Sequence, residues 1–477
     1  MTQSFKNIPI KTQSTPPLDE QDELYEVRKK IHPRAISGLF ATWRWIAVWV
    51  TQLVFYGLPW LSWEGRPAVL FDLDARKFYI FDLIFWPQDF IYLALLLMLC
   101  AFGLFWWTAI AGRLWCGYAC PQTVYTSIFL WIEAKVEGNH LARQKLDAAP
   151  MSGRKLRLRA TKHAIWIAFS LWTGFTFVSY FTPLTDLFRE SRHGGLGPWE
   201  LFWIFFYGFA TYGNAGFLRE QVCKYMCPYA RFQGVMFDRD TLIISYDTER
   251  GEPRGGRKKS ANPQELGLGS CVDCGICVQV CPTGIDIRNG LQSECIGCAA
   301  CIDACDQVME KMNYPKGLIR YTTENALEHR YAEDRFLSHI LRPRIIIYTV
   351  ILAVLVTSMV WTLATRNPLK VDVVRDRNAL VRETVFGQEN AYTLNLINTD
   401  DHEHLLMIKT EALPQAELLS DQALPVRVAA GSTQRLTLRV RTKGTLAQGS
   451  NPLIFVVQAV DKPTMQRREK TSFQAAR

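Results

Sequence analysis

Cysteine is missing from the last 172 of the 477 residues, although the chain holds 13. A disulfide-stapled secreted scaffold would not cluster its cysteines this way, so that class is excluded. Charged residues are scarce at 21%, while aromatics reach 12% and include 15 Trp. A disordered chain shows the opposite balance. Residues 1–38 lack an apolar run; they hold Pro16, Pro17 and a charged stretch from Asp19 to Lys30. The expectation is a mobile cytoplasmic tail with no signal peptide. No glycine-rich phosphate loop follows a strand pattern, which leaves nucleotide binding unsupported. Of eight His, only His163 lies beside an apolar segment, so a pair of membrane haem ligands is missing. The length suggests about two to four domains at roughly 100–200 residues each.

Long apolar segments are present. Leu39–Leu61 carries one charge, Arg44, and Phe90–Ala111, Ala164–Thr185, Leu201–Leu218 and Ile345–Ala364 carry none. A helix needs roughly 20 apolar residues to cross a bilayer core. Trp and Tyr flank several of these segments, as they do at membrane interfaces, so five transmembrane helices are predicted. Lys and Arg number 6 before the first segment, 9 over 113–162 and 16 over 219–342. They number only 3 over 62–89 and 2 over 186–200. The positive-inside rule then places the N-terminus in the cytoplasm and the C-terminus outside. The basic stretch Arg250–Lys259 reads as a flexible linker near anionic head groups, and no nucleic-acid partner is expected.

The strongest motif is Cys271-x2-Cys274-x2-Cys277-x3-Cys281-Pro282, repeated as Cys295-x2-Cys298-x2-Cys301-x3-Cys305. Three thiolates in a C-x2-C-x2-C loop can hold three irons of one cubane. The fourth Cys of such a run ligates the other cluster in two-cluster ferredoxins. Cys271, Cys274, Cys277 and Cys305 are therefore assigned to one [4Fe–4S] cluster, and Cys295, Cys298, Cys301 and Cys281 to a second. Zinc sites also use C-x2-C pairs but do not pack four Cys into eleven residues. Ile276, Ile285, Ile287 and Ile296 are placed to shield the sulfurs. All eight ligands fall on the side that the charge count makes cytoplasmic, a reducing compartment.

A second constellation is duplicated. Cys116-Gly-Tyr118-Ala-Cys120-Pro121 and Cys223-Lys-Tyr225-Met226-Cys227-Pro228 both read C-x-Y-x-C-P, 107 residues apart. Tyr125 and Phe232 keep the same offset, as an internal repeat would. Cys at i and i+4 share a face of a continuous helix. Alternatively each Pro opens a new helix, a favoured position, and Cys120 and Cys227 become its N-caps. The second arrangement is preferred, and there the helix dipole would lower the thiol pKa. Reduced structural cysteines are the bland account, and Cys100 in mid-helix fits it. Two identical copies point instead to a soft-metal site or a thiol relay, since thiolates select Cu(I), zinc or iron–sulfur clusters. Met226 could add a thioether, although a lone Met more often packs.

Over residues 366–477 aromatics become sparse and alternation appears. Tyr392–Leu396, Arg435–Val440 and Leu453–Val457 read as strands, divided at 398–401, 430–432 and 443–444. About 110 such residues suggest an immunoglobulin-like antiparallel sandwich without a disulfide. His402 and His404 read as exposed loop histidines.

In this order, the two C-x-Y-x-C-P motifs, the two four-Cys runs and the C-terminal strands resemble the cytochrome c oxidase accessory proteins of the FixG, RdxA and CcoG type. The expected architecture is a membrane α-helical protein with an inserted two-cluster ferredoxin domain and an all-β sandwich. Its parts are a tail over 1–38, a four-helix membrane domain over 39–240 and a ferredoxin domain over 241–342. A fifth helix over 343–365 and a periplasmic sandwich over 366–477 complete it. The resemblance implies a bacterial inner-membrane protein that matures a cbb3-type oxidase by reducing Cu(II) to Cu(I). It makes Cys116, Cys120, Cys223 and Cys227 the copper-binding and copper-reducing positions, fed by two [4Fe–4S] clusters. Copper carriers or oxidase assembly factors are the implied partners, with a donor the sequence does not name and a homodimer as the expected oligomer. Two other functions compete: a polyferredoxin relay between quinol and a partner reductase, and a non-catalytic oxidase-assembly scaffold.

Overall fold

The computed structural model describes residues 30–475 apart from 64, 262–264, 331–340, 377–380, 385, 401, 414 and 444–445. Residues 1–29 of the expected tail, and Asp401 and Gly444 of the expected turns, lie outside the described residues.

Each apolar segment forms a helix. Helix α1 spans Leu39–Gly57 and α2 spans Phe90–Ala111. After them come α3 (Leu114–Tyr118), α4 (Pro121–Glu137), α5 (His140–Ala148) and α6 (Gly153–Val178). Next are α7 (Leu184–His193) and α8 (Pro198–Thr211). The chain leaves α8 in wide π-helical turns over Tyr212–Leu218 and Val222–Met226, then forms α9 (Pro228–Met236). The span expected as a four-helix membrane domain, 39–240, thus holds more than four helices, because the connection between α2 and α6 folds into α3–α5. The connection between α1 and α2 also folds, with Val69–Asp72, Lys77–Ile80 and Leu83–Phe85 pairing as an antiparallel sheet.

Among the described residues, two helices are long and apolar enough to cross a membrane: Phe90–Ala111 and Pro343–Ala364. The others are compromised for local reasons. Arg44 lies within the 19 residues of α1. Helix α6 begins in the basic run Gly153–His163, started by the Ser152 hydroxyl accepting from the Lys155 amide. Helix α8 keeps α geometry for only 14 residues. Helices α6 and α8 nonetheless press together, because Gly174 packs directly on the Ile204 carbonyl, where a Cβ has no room. Small residues permit such close approach between membrane helices. Cys100, expected to pack inside, sits exposed on α2.

The ferredoxin unit is closed by Ile243–Tyr246 pairing antiparallel with Ile319–Thr322. Its helix α10 (Ala300–Met312) docks on the start of α1. There the Asp303 carboxylate accepts from the amides of Ala41 at 2.7 Å and Phe40 at 3.2 Å. A carboxylate is favoured at that position by the unpaired N–H groups and the dipole. Two expectations fail nearby. Residues 30–38 are pinned, not mobile: the Arg34 amide donates to Gln279 and Arg143 donates to the Pro33 carbonyl, both at 2.8 Å. The basic stretch is an ordered strap, because Arg257 donates to the carbonyls of Cys271 and Gly269 and Arg250 to that of Lys316.

The last apolar helix is α11 (Pro343–Ala364). Beyond it, Leu369–Arg375, Arg382–Thr384, Gly387–Asn398, Ala416–Ser420 and Thr433–Thr442 form a five-stranded sheet. His404–Glu411, Val426–Val428, Gly449–Ala459 and Gln466–Ala475 form a four-stranded one. Alternate residues of both sheets meet in one core, with Tyr392 and Phe455 edge to face at 5.2 Å. His404 is not an exposed loop histidine. It is 5% exposed at a strand start, with its ring between Asp461 at 2.6 Å and Asp400 at 3.1 Å. His402 is exposed, as expected. The sandwich is tied to α2 by Asp89, which pairs with Arg366 at 2.7 Å and with Lys370.

Candidate functional site

The eight ferredoxin cysteines surround two small cavities of ≈ 20 Å³ each. Cys271, Cys274, Cys277 and Cys305 line the first, beside Ile276 and Met309. Cys281, Cys295, Cys298 and Cys301 line the second, with Cys277 at its edge and Ile285, Ile287 and Ile296 around it. The grouping is the crossed partition expected from the spacing. Among the described residues, no three His, Cys, Asp or Glu side chains converge as they would on a single ion. Thiols spaced around a gap and walled by isoleucine suit a multi-atom cluster. Burial pushes the thiols of Cys295 and Cys305 up to about 12 and that of Cys277 to about 11. These thiols are therefore protonated at neutral pH until iron displaces the protons.

The first of the C-x-Y-x-C-P copies occupies α3, and the second occupies the π-helical turn Val222–Met226. The copies differ in winding but end alike. Cys120 and Cys227 are both extended, with ψ of 129° and 110°, and Pro121 and Pro228 open α4 and α9. Pro suits the first helical position because its missing N–H would be unpaired there anyway. The expected lowering of the Cys120 thiol is overturned. Burial raises it, and the hydrogen bonds from the Gln122 and Thr123 amides offset only part of that. Burial likewise pushes Cys116 up to about 11 and Cys223 to about 12. The four thiols neighbour one another, Cys223 feeling Cys120, Cys116 and Cys227 and Cys120 feeling Cys227, but no three of them converge as they would on one ion. Gln233, from α9, holds the Cys116 sulfur at 3.3 Å. Met226 is 59% exposed and packs in no core.

The thiol group abuts the second ferredoxin cavity. A Cβ on Gly117 would lie 2.7 Å from the Gly297 carbonyl and 2.9 Å from the Cys298 Cα. Only glycine allows the first C-x-Y-x-C-P motif to touch the Cys298 loop backbone to backbone. Around that contact, Arg113 donates to the Cys295 carbonyl at 2.8 Å, and Tyr321 donates to the Gly297 carbonyl at 2.7 Å. The Cys281–Cys301 cavity is thus proximal to the membrane-side thiols, and the other, with exposed Cys274, is distal.

The sequence reading missed the buried ions that hold the two copies together. Glu133, on α4, is fully buried and meets Arg219 at 2.7 Å, Arg143 at 3.6 Å and Lys162 at 4.0 Å. Glu137 meets Lys162 at 2.9 Å and Arg159 at 3.5 Å. Burial alone would push the Glu133 carboxyl up; the three cations outweigh it and hold it below the usual range. Arg219 lies four residues before Cys223, so this network fastens the second copy to the helix that follows the first. The available signal was a pair of carboxylates at i, i+4 after the apolar run Ile128–Ile132 of α4.

Comparison with known proteins bears on the same residues. A 4Fe-4S dicluster domain matches residues 218–324, a 4Fe-4S binding domain 93–138, and the IG-like fold at the C-terminal of FixG 359–476. Nitrogen fixation protein FixG of Rhizobium meliloti is 38% identical over 427 residues, covering 83% of this chain and 82% of that protein. The chain belongs to the FixG/RdxA/RdxB family. Protein RdxB of Cereibacter sphaeroides is 37% identical over 446 residues, 91% of this chain and 93% of RdxB. The crystal structure of a FixG-related protein from Vibrio parahaemolyticus covers 22% of this chain and 95% of its own, at 19% identity and a TM-score of 0.19. This FixG/RdxA/RdxB chain carries 4Fe-4S domains and a C-terminal IG-like domain. All eight cysteines of the two runs lie in the dicluster match, and Cys116 and Cys120 lie in the 93–138 match.

Proposed function

We propose that this family member is a multi-pass bacterial inner-membrane protein that reduces Cu(II) to Cu(I) for assembly of a cbb3-type oxidase. The observation that carries the reading is the contact at Gly117, which joins four grouped soft thiols to the loop of Cys298. Cys271, Cys274, Cys277 and Cys305 would hold the distal [4Fe–4S] cluster, and Cys281, Cys295, Cys298 and Cys301 the proximal one. Such clusters, when bound, carry one electron at a time, at potentials spanning about −700 to +450 mV. The thiols do the copper chemistry. Oxygen and nitrogen donors hold Cu(II), whereas thiolates favour Cu(I), so capture by Cys116, Cys120, Cys223 and Cys227 pulls reduction forward. Because burial keeps the Cys116, Cys120 and Cys223 thiols protonated, capture releases their protons.

The localisation takes α1, α6 and α8 as spans beside α2 and α11. Beyond the two long apolar helices, α1 presents Trp49 and Leu53, α6 presents Ile167 and Trp172, and α8 presents Phe205 and Phe209 outward. An apolar face this wide is suited to lipid. The N-terminus and ferredoxin unit would be cytoplasmic, the sandwich periplasmic, and copper carriers or oxidase assembly factors the partners.

Anaerobic Cu(II) titration of the purified protein, followed by EPR, tests the reading. The Cu(II) signal should vanish as pre-reduced clusters are oxidised. Cys116→Ser and Cys223→Ser should each lower copper affinity at least tenfold while iron content is unchanged; normal affinity sinks the assignment. A relay from quinol to a partner reductase is the second reading. It is favoured by the 4Fe-4S match over 93–138, which holds Cys116 and Cys120. Cu(II) that stays oxidised beside reduced clusters would select it.

A further inference from the structure

A cavity of ≈ 280 Å³ lies where α1 and α4 meet the ferredoxin unit. Cys223 lines it on one side and Cys298 on the other, so it touches both the thiol group and the proximal cluster's ligand loop. Trp45, Val48, Leu130 and Trp131 form an apolar wall. Trp45 and Trp131 are also 39% and 51% exposed, which carries that wall out to the protein surface. The inner part is polar, with Arg44, Gln122, Thr126 and Ser127 in its lining. The Arg44 Nε is buried without a hydrogen-bond partner in the structure.

We infer that this cavity binds a membrane quinol, the reductant that supplies the copper reaction. The inference rests on the electron-transfer reading above and adds the donor to it. Charge decides against a free metal cation, because Arg34, Arg44, Arg143 and Arg219 line the cavity against Glu220 alone. A neutral ring with acceptor oxygens suits such a lining, and its isoprenoid tail suits the Trp45–Trp131 opening. Ligand sites of this kind are mostly apolar with a few placed polar groups. The oxidation balances: one quinol becomes one quinone, releasing two protons and two electrons. The electrons leave singly toward the Cys298 loop and reduce two Cu(II) to two Cu(I). Arg44 donates to a ring oxygen as its proton departs. The Glu220 carboxylate is placed to take that proton, and water takes the second.

The test uses the full chain in nanodiscs and decylubiquinol as the probe. Saturable quenching of tryptophan fluorescence reads binding without any turnover, and an azido-quinone reads its place. Ala134→Phe fills the cavity, since Ala134 lines it, and Arg44→Gln removes the inner donor. Both variants should weaken quinol binding at least tenfold, keep their iron, and still reduce Cu(II) when the clusters are fed by dithionite. Labelling should fall on α1 and α4. Absent or non-saturable quenching overturns the site, as does quenching that both variants leave unchanged. Tight phospholipid retained in the cavity, not displaced by the quinol, also overturns it and marks a lipid site. If quinol binds as described but dithionite-fed protein leaves Cu(II) oxidised, the copper reading fails and the quinol site stands.

Discussion

Glu133 has no exposed side-chain surface, and three cations from three segments depend on it. Removing one partner of a buried ion pair leaves uncompensated charge and costs about 3–5 kcal/mol. Glu133→Gln should therefore lower unfolding stability in detergent by about that amount. A loss under about 1 kcal/mol would show that water already reaches Arg219 and Lys162. The cysteines were legible in the sequence, because a C-x2-C-x2-C-x3-C spacing constrains its own loop. Glu133 was not. Its partner Arg219 is 86 residues away, and no local pattern pairs them. The thiol pKa of Cys120 was misread for a related reason. The helix terminus is local and visible in sequence, whereas the burial that outweighs it is made by the rest of the fold.

At the scale of elements, α3 and the Cys298 loop meet through a glycine. Gly117→Ala must push the two apart, since the new Cβ would meet backbone atoms that cannot swing away. Copper reduction by pre-reduced protein should slow at least tenfold while both clusters remain, measured by stopped-flow loss of the Cu(II) band. An unchanged rate would move the electron path elsewhere. In the sandwich, burial pushes His404 down, but its hydrogen bonds to Asp461 and Asp400 outweigh that and raise it. A raised histidine stabilises the fold fully below its unfolded pKa, about 6.5, and loses that contribution as pH rises through the folded value. Amides of His404–Glu411 should be less protected at pH 8 than at pH 6 after correction for intrinsic exchange. His404→Asn should abolish the difference. Strand periodicity was legible, as alternation reports one buried face directly. The start of α4 was legible from Pro121, but its 17-residue length, α5 and the three-stranded sheet over 69–85 were not, because each is amphipathic only against a neighbour.

Across the whole molecule, the ferredoxin unit meets the start of α1 and the C-terminal end of α2, whereas the sandwich is joined to the N-terminal end of α2 by the Asp89 pairing with Arg366 and Lys370. Deleting residues 366–477 should therefore leave dithionite-fed copper reduction in vitro within about twofold of the full chain. A larger loss would give the sandwich a part in the chemistry and favour the scaffold reading of the protein. Order along the chain was legible because each unit carries its own period or cysteine spacing. The docking of the ferredoxin unit was not, since Asp303 and Ala41 stand 262 positions apart.

That separation has a consequence for synthesis. Helix α1 is among the first segments made, but the carboxylate that completes its opening turn comes 262 residues later. At roughly 5–20 residues per second, a ribosome needs about 13–50 s to cover that distance. Through that interval the helix start stands without its carboxylate partner, and Asp303 reaches it only once α10, which carries Cys301 and Cys305, has folded. A nascent chain starved of iron would keep that site open, and a protease that surveys frayed helix starts could tell it from a finished one.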